Sequence, residues 1–201
     1  YDKIITADMG GTSFDVGLIV DGVFEEEATP FLDQGLPVHV PTIKVVTIGA
    51  GGGSVAWTDG YRLQVGPQSA GAQPGPACYG RGGAEPTVAD ALVVLGIIDP
   101  DNFFGGRYAL DARKARAAIE ARVAQPLGLN LLEAAAGIYD VVTAKMGDLI
   151  RKVTVESGHD PREFCLLSYG GAGGAHSATF AAQLGIKRVI VPYAASVFSA
   201  L

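Results

Sequence analysis

The octapeptide DMGGTSFD, residues 8–15, combines residue types that suit phosphate binding. Its Gly-Gly pair would let backbone N–H groups point at an anion without a Cβ in the way, and the following Thr and Ser add hydroxyl donors. The two aspartates would repel a phosphate unless a divalent cation lies between them, and Mg²⁺ held through waters by either aspartate would resolve that conflict. The residues with predicted roles are Asp8, Gly10, Gly11, Thr12, Ser13 and Asp15.

The alternative for the same octapeptide is a hairpin in which the Asp and Thr side chains only stabilise the turn. Gly-Gly pairs are common in turns, so the pair alone does not distinguish the two. The octapeptide as a whole lies between two apolar runs that predict strands, residues 4–7 and 15–20. This strand-turn-strand placement favours the phosphate site.

A second glycine-rich segment, YGGAGGAH at residues 169–176, lies between a predicted strand and a predicted helix. Glycines in this position let the backbone lie flat against a ligand, and the helix N-terminus offers its dipole. A dinucleotide-binding loop needs the same context, but no βαβ unit follows with an acidic residue about 20 positions further on. The glycines concerned are Gly170, Gly171, Gly173 and Gly174.

Composition excludes several classes of protein. The 201 residues suffice for one large domain or two small ones. The 15 Lys and Arg against 21 Asp and Glu give a net charge of -6, which argues against a nucleic-acid partner. No apolar run approaches the roughly 18 residues that span a bilayer, and the first residues do not resemble a signal peptide. The chain is therefore expected to be soluble and cytoplasmic.

Three further counts bear on partners and on backbone contacts. Charged residues make up 18%, below the roughly 25% of an ordinary domain, which predicts that another domain or subunit covers part of the surface. Cys78 and Cys165 form no CxxC pair, which excludes a Cys-rich zinc site and makes a disulfide the less favoured interpretation. The 28 glycines occur in clusters, which indicates backbone that closely approaches a ligand or another backbone.

Periodicity and capping residues predict strands first, then alternating helices and strands. Thr87, Asp111 and an Asn130–Glu133 pair mark three helix starts. Residues 49–83 are dense in Gly, Pro and Ser and predict a long irregular segment. This order indicates an α/β domain in which helices cover a mixed sheet. The predicted strands are 4–7, 15–20, 38–48 (broken at Pro41), 164–168 and 188–191, and the predicted helices are 86–95, 112–124, 131–156 and 175–184.

The hairpin and the later glycine loop together resemble the actin and sugar-kinase superfamily of ATPases. Further motifs are similar to those of the hydantoinase A/5-oxoprolinase family, and the long Gly/Pro motif among them is highly specific. They are IGAGGGS at 48–54, VGPQSAGAQPGPACYG at 65–80, PTVADA at 86–91, DPR at 160–162 and VFSA at 197–200. The resemblance covers essentially the whole chain.

This resemblance implies an ATP-dependent enzyme that opens cyclic amides such as hydantoins or 5-oxoproline, or a relative that carboxylates ketones. Both would proceed by phosphoryl transfer from ATP to a substrate oxygen. The implied fold is a ribonuclease-H-like, actin-type domain over residues 1–201, the second half of the ATPase core, with 49–83 as an insertion. By position, the hairpin binds the phosphates and Mg²⁺ through its aspartates, and the second glycine loop lies under adenosine. The implied substrate contacts are Gly51, Gly52, Gly53 and Asp90.

The chain also departs from the family pattern. The family usually has Thr-Val-Thr-Asp-Ala-Asn where residues 87–92 read TVADAL, so two polar groups are absent. Family members commonly carry Pro-Gly before the final Ser-Ala pattern, where this chain has Ala-Ala-Ser at 194–196. Family chains are also much longer. The resemblance therefore implies a further N-terminal subdomain with its own phosphate hairpin, a hydantoinase-B-type partner subunit, and no activity in this segment alone.

The sequence allows two interpretations of several residues. Cys78 could be a nucleophile or a small buried thiol, and His176 could touch the nucleotide or serve in capping or packing. The segment 49–53 could shape a substrate loop or let two strands cross closely. Asp90 could be a first-turn charge favoured by the helix dipole or a functional carboxylate. The rival to an enzyme is a non-catalytic assembly domain that keeps the fold.

Overall fold

Strands dominate the first third of the chain, and helices dominate the remainder. The computed structural model describes residues 1–27, 31–32, 36–37 and 40–200, so the first two residues of the strand predicted over 38–48 lie outside the described residues. The strands within these ranges are β1 Lys3–Met9, β2 Phe14–Val20, β3 Val23–Phe24, β4 Glu26–Glu27, β5 Phe31–Leu32, β6 Leu36–Pro37, β7 Thr42–Ile43, β8 Val46–Ile48, β9 Ser54–Thr58, β10 Leu63–Ser69, β11 Cys165–Tyr169 and β12 Val189–Ile190. The α-helices are α1 Val88–Val94, α2 Ala112–Ile119, α3 Gln125–Leu127, α4 Leu131–Glu156 and α5 Gly173–Leu184.

A six-stranded mixed sheet forms the centre of the fold. Its strand order is β12-β11-β1-β2-β3, and β8 also pairs with β2. Strand β11 runs parallel to β1 and to β12, whereas β2 runs antiparallel to β1. The predicted mixed α/β class is therefore confirmed, and the predicted hairpin is the β1–β2 pair at the middle of the sheet.

The two faces of the sheet differ because neighbouring side chains of a strand point to opposite sides. Helices α4 and α5 cover one face, where the rings of Phe14 and Phe180 meet edge-on with centroids 5.9 Å apart. The alternate residues of β1 and β2 point to the other face, and they include Asp8 and Asp15. The fully buried side chains that β1 and β2 contribute to the helix-covered face are Ile5, Ala7, Met9, Phe14 and Val16.

The helix starts follow the predicted capping residues. Helix α4 begins at a capping box in which Asn130 Oδ1 accepts from Glu133 N at 3.0 Å and Glu133 Oε2 accepts from Asn130 N at 2.9 Å. Asp111 caps α2, as predicted. The helix predicted over 86–95 begins later, at Val88, with Thr87 as its N-cap. None of the described helices is by itself long and apolar enough to cross a membrane; only the pair 112–127 and 131–156, bent by 91°, meets the length and composition criteria together.

The segment 49–83 is not irregular throughout, and this prediction was wrong in part. The segment contains an antiparallel hairpin made by β9 and β10, followed by a 3₁₀ turn at Ala77–Tyr79. The hairpin register shifts between Val65 and Ser69, around Gly66-Pro67. Because Gly and Pro interrupt a strand and lower its propensity, the composition of this segment concealed β10.

Candidate functional site

The turn of the β1–β2 hairpin is supported by a second glycine cluster. Within the turn, Gly10 N donates to Ser13 O at 3.1 Å. From outside the turn, Gly52 N donates to Gly10 O at 3.0 Å, and Gly53 N donates to Gly11 O at 2.7 Å. Two clusters separated by 40 residues of sequence therefore form one backbone layer.

The Gly51–Gly53 segment owes its composition to this close packing. A Cβ at Gly51 would lie 2.5–2.6 Å from backbone atoms of Gly11 and Thr12, and a Cβ at Gly53 would lie 2.9 Å from Gly11 O. The structure thus supports close backbone approach, one of the two interpretations of these glycines. Of the predicted substrate contacts, Gly52 and Gly53 retain access to a cavity beside the turn.

The later glycine loop reaches the hairpin from the β11 side. Ala172 N donates to Met9 O at 3.0 Å. Gly170 has a φ of +83°, and a Cβ there would collide with the Asp8 carboxylate and the Met9 carbonyl. Only glycine fits this position, so packing against the hairpin explains it without a ligand.

Three glycines of these clusters instead face open space. No protein atom lies within 4 Å of the Cβ position at Gly10, Gly11 or Gly171, and none of the three has a positive φ. By contrast, a Cβ at Gly173 or Gly174 would have a side-chain neighbour at 3.0 or 3.9 Å. Neither packing nor backbone strain accounts for the three open glycines. They form a bare backbone cradle that suits an anion or a flat ligand.

Two carboxylates lie beside the cradle. Asp8 and Asp15 are directly paired in the antiparallel register of β1 and β2, so their side chains share the sheet face that the helices leave free. Asp8 Oδ2 accepts a hydrogen bond from Ser199 Oγ at 2.6 Å. Asp15 accepts from Ser13 Oγ at 3.0 Å and from Thr47 Oγ1. The pair concentrates negative charge at one point of the sheet.

Tyr169 extends this polar face, although the sequence did not single it out as a site residue. It is paired with Asp8 in the parallel register of β1 and β11. Burial and the negative charges of Asp8 and Asp15 raise the pKa of the Tyr169 phenol, so it remains a hydrogen-bond donor at neutral pH. Ser199 and Thr47 were also missed, because they reach the aspartates across 191 and 32 residues of chain.

The carboxylate pair fits a magnesium ion that is shared with a nucleotide. In phosphate-transfer sites, Mg²⁺ is held by one or two carboxylates together with waters and phosphate oxygens. No group of three His, Cys, Asp or Glu residues converges within the part of the chain that the structure describes. The Asp8–Asp15 pair, beside bare glycine backbone, could hold a magnesium ion together with phosphate oxygens.

Asp90 requires a correction, since its predicted substrate contact does not agree with its position. Its side chain is fully buried, and both oxygens are used by the protein. Oδ1 accepts from Cys78 N at 2.7 Å, and Oδ2 accepts from Ala77 N at 3.2 Å and from Thr87 N at 2.9 Å and Thr87 Oγ1 at 2.8 Å. Asp90 closes the capping box of α1 and fixes the 3₁₀ turn beside it.

Cys78 is a buried thiol and not an activated nucleophile. Burial and the charge of Asp90 raise the pKa of its thiol far above the usual range, so it stays protonated at neutral pH. Cys165 is also buried, and its thiol is free.

His176 is a packing residue inside the protein. Its ring is fully buried and stacks on Tyr139 with centroids 4.8 Å apart. Thr143 Oγ1 donates to Tyr139 O at 2.6 Å, so this hydroxyl oxygen is left to accept from His176 Nδ1–H at 2.9 Å. Burial lowers the pKa of His176 to about 4. Of the two interpretations of His176, the structure supports packing, because the ring is buried against Tyr139.

The chain thus forms a mixed α/β domain with a candidate nucleotide site at its central hairpin. The chain belongs to the hydantoinase/oxoprolinase family, whose sequence model matches residues 1–201. The predicted family resemblance is thereby confirmed.

Characterised relatives are subunits of ATP-dependent and carboxylating enzymes. The chain is 46% identical over 197 residues to caprolactamase subunit alpha of Pseudomonas jessenii, covering 97% of this chain and 28% of that protein. It is 45% identical over 204 residues to the acetophenone carboxylase gamma subunit of Aromatoleum aromaticum, covering 100% of this chain and 28% of that protein. A nucleotide-free structure of acetone carboxylase, described as catalysing ATP-dependent acetone carboxylation, matches with a TM-score of 0.92 and 38% identity over 100% of this chain and 28% of its own. The chain thus spans about 28% of the length of these relatives.

Proposed function

We propose that this chain is the phosphate-binding part of an enzyme that uses ATP to phosphorylate a carbonyl oxygen of a cyclic amide. The alternative substrate is a ketone that is then carboxylated. The two substrate classes are equally supported, since the relatives include a caprolactamase subunit and a ketone carboxylase subunit. The observation that carries the proposal is the open cradle of Gly10, Gly11 and Gly171 beside the Asp8–Asp15 pair. The finer fold assignment, the second half of a ribonuclease-H-like, actin-type core, belongs to the same proposal.

The residues of this chain would supply positioning and charge neutralisation. Backbone N–H groups of the turn and the hydroxyls of Thr12 and Ser13 would hold phosphate oxygens, as phosphoryl transfer requires. Asp8 and Asp15 would hold Mg²⁺, which when bound neutralises the charge that develops on the phosphates. The bare backbone at Gly171 would lie against adenosine, while Gly170, Gly173 and Gly174 shape the loop that carries it.

The remainder of the active site is proposed to come from outside residues 1–201. A facing phosphate hairpin in the rest of the parent chain would close on the nucleotide, and a hydantoinase-B-type subunit would complete the assembly. The characterised relatives are themselves named as subunits, which supports this arrangement. A cytoplasmic location and a small-molecule substrate are part of the proposal.

The test is Asp8→Asn in the full-length parent enzyme with its partner subunit. Substrate-dependent ATP hydrolysis should fall by at least about 100-fold, because the neutral amide no longer attracts the cation that neutralises the phosphates. Asp140→Asn changes an exposed aspartate on α4 and is the matched control, with activity expected to be unchanged.

If Asp8→Asn kept full turnover, the assignment of Asp8 to the site would be wrong. Assaying the wild type with caprolactam, and with acetophenone plus bicarbonate, separates the two substrate classes. A parent protein that hydrolyses no ATP with any amide or ketone of such a panel would instead be a non-catalytic assembly subunit.

A further inference from the structure

A cavity of about 360 Å³ lies beside the turn of the β1–β2 hairpin. Gly10, Gly11 and Gly171 line one end of it, so the open cradle and the cavity are continuous. The other end is bounded by α1 and by the segment 97–110. A compound in this cavity could direct one polar atom at the hairpin while its body lies among side chains.

Hydrocarbon makes up the far end of the cavity. None of the described residues that line it carries a charge, and the only polar side chains among them are those of Tyr79 and Ser196. Taking a carboxylate out of water into such a lining is unfavourable without a counter-charge. The apolar residues that form this end are Leu92, Ile98, Phe103, Phe104 and Leu110.

Two charged residues close to the lining, Arg81 and Asp90, have partners within the protein. Arg81 contacts Tyr108: its Nε donates to Tyr108 Oη at 3.2 Å, and its guanidinium lies 5.1 Å from the centroid of that ring. Asp90, on the helix that lines the cavity, is fully buried and uses both of its oxygens within the protein. Neither residue lines the cavity.

Aromatic rings form a wall that suits a flat or cyclic hydrocarbon. The Phe103 ring lies 4.6 Å from the Phe104 ring and 6.0 Å from the Tyr79 ring, centroid to centroid. Phe104 is 71% exposed and has a φ of +51°. A large side chain seldom adopts this backbone conformation, and residues held in it cluster at ligand sites. Phe104 therefore has the features of a residue kept at the mouth of a pocket for contact with a ligand.

Adenine is a poor occupant for the apolar far end of this cavity, away from Gly171. Its ring nitrogens and amino group need several hydrogen-bond partners, and a buried polar atom without a partner is destabilising. A carbonyl compound has one polar oxygen and a hydrocarbon remainder, which matches a cavity that is polar only at the hairpin end. Pockets for small molecules commonly combine an apolar lining with a few polar groups in this way.

We infer that this cavity binds the carbonyl substrate, and that it selects an uncharged lactam or ketone with a hydrocarbon body over a lactam that bears a carboxylate. The inference rests on the proposed function for the identity of the reacting group. It adds the charge class of the substrate and names Phe104 as a residue that determines specificity.

The matched ligands for the test are 2-pyrrolidinone and 5-oxoproline, which share one lactam ring and differ by a carboxylate. Binding to the full-length parent protein with its partner subunit would be measured directly by titration calorimetry, without ATP, at pH 7.5. The uncharged lactam should bind at least about tenfold more tightly than the acid, and caprolactam and acetophenone more tightly still. Equal or tighter binding of 5-oxoproline would overturn the inference.

Phe104→Ala tests the location of the pocket. It should raise the Kd for acetophenone about tenfold and leave the Kd for Mg-ATP within about twofold of the wild type. Tyr61→Ala, at a 92% exposed aromatic residue that does not line the cavity, is the control and should change neither. Phe104→Lys should reverse the preference and favour 5-oxoproline, since it places a cation at the mouth.

The outcomes separate this inference from the proposed function. Weakened Mg-ATP binding with unchanged carbonyl binding in Phe104→Ala would mean that the cavity holds the nucleotide, and the inference would fail. Carbonyl-stimulated ATP hydrolysis that is insensitive to Phe104 would leave the proposed function standing without the pocket. Carbonyl binding that depends on Phe104 without any ATP hydrolysis would support the pocket and contradict the proposed function.

Discussion

Glycine has three uses in this chain, and only one of them indicates a ligand. At Gly170 the backbone is left-handed, and a side chain would collide with Asp8. At Gly51 the reason is close contact with the hairpin turn. At Gly10 and Gly11 no protein contact explains the missing side chain. The residue type predicts unusual backbone in all these cases, but only the surroundings distinguish a packing role from a binding role.

Burial of His176 should make the stability of the protein depend on pH. Burial lowers its pKa to about 4 in the folded protein, whereas an exposed histidine in the unfolded chain titrates near 6.5. The unfolded state therefore takes up a proton first as the pH falls, and the free energy of unfolding should decrease between pH 7 and pH 4. The loss is expected to reach about 2 kcal/mol at pH 5.

Denaturant unfolding of the wild type and of His176→Phe at several pH values checks this expectation. The phenylalanine keeps the stacking on Tyr139 and removes the titrating group, so the part of the pH dependence due to His176 should vanish. His159→Gln, at a partly exposed histidine, is the control and should keep the part of the pH dependence that is due to His176. Identical pH profiles for the wild type and His176→Phe would contradict the assignment.

At the scale of elements, the hairpin, helix α1 and the 3₁₀ turn are joined through two groups. Gly52 joins the first two, since its N–H donates to the turn and its carbonyl accepts from Ala89 N at 2.7 Å. Asp90 joins α1 to the turn at Ala77–Tyr79. Tyr79 then extends from this turn into the cavity lining. The position of the aromatic wall relative to the cradle thus depends on buried hydrogen bonds.

Asp90→Asn should therefore destabilise the protein. An asparagine offers one acceptor oxygen, and its NH₂ group would face backbone N–H donors that are buried with it. The free energy of unfolding should fall by about 2–4 kcal/mol, as expected when one partner of a buried, charge-assisted network is replaced. Thermal and denaturant unfolding would measure this loss.

Asp140→Asn again serves as the control, with a change within about 0.5 kcal/mol expected for an exposed position. An equally small change for Asp90→Asn would show that the carboxylate does not hold the turn.

At the scale of the whole molecule, residues 1–201 correspond to about 28% of the characterised relatives. The cradle at Gly10, Gly11 and Gly171 is open, and the charged fraction of 18% is low for a free surface. Both features fit a domain that works against other parts of a larger assembly.

The expected consequence is weak nucleotide binding by residues 1–201 alone. The Kd for Mg-ATP should exceed about 100 μM, because the proposed facing hairpin would not be there to add its phosphate contacts. Calorimetric titration of the isolated chain and of the parent protein, with circular dichroism as a control for folding, provides the comparison. A sub-micromolar Kd for the isolated chain would contradict the one-sided site.

Elements with strong local signals could be predicted from the sequence. Helix α4 was predicted over 131–156 because a capping box starts it and apolar residues repeat every three or four positions. The hairpin was predicted because two apolar runs flank a glycine turn. Strand β10 was not predicted, because Gly66-Pro67 interrupts its pattern of residues. Its hydrogen bonds are made to β9, and local composition does not reveal that pairing.

Motifs and periodicities within short stretches suffice to identify the family, the hairpin with its two aspartates, and the longer strands and helices outside residues 49–83. The fold was needed to show which glycines face open space, that Asp90 is a structural carboxylate, and that Tyr169, Thr47 and Ser199 lie beside the aspartates. It also placed an uncharged aromatic cavity beside the hairpin. The physical reason is that burial, hydrogen-bond saturation and close approach are properties of residues distant in sequence, and they exist only once the chain has folded.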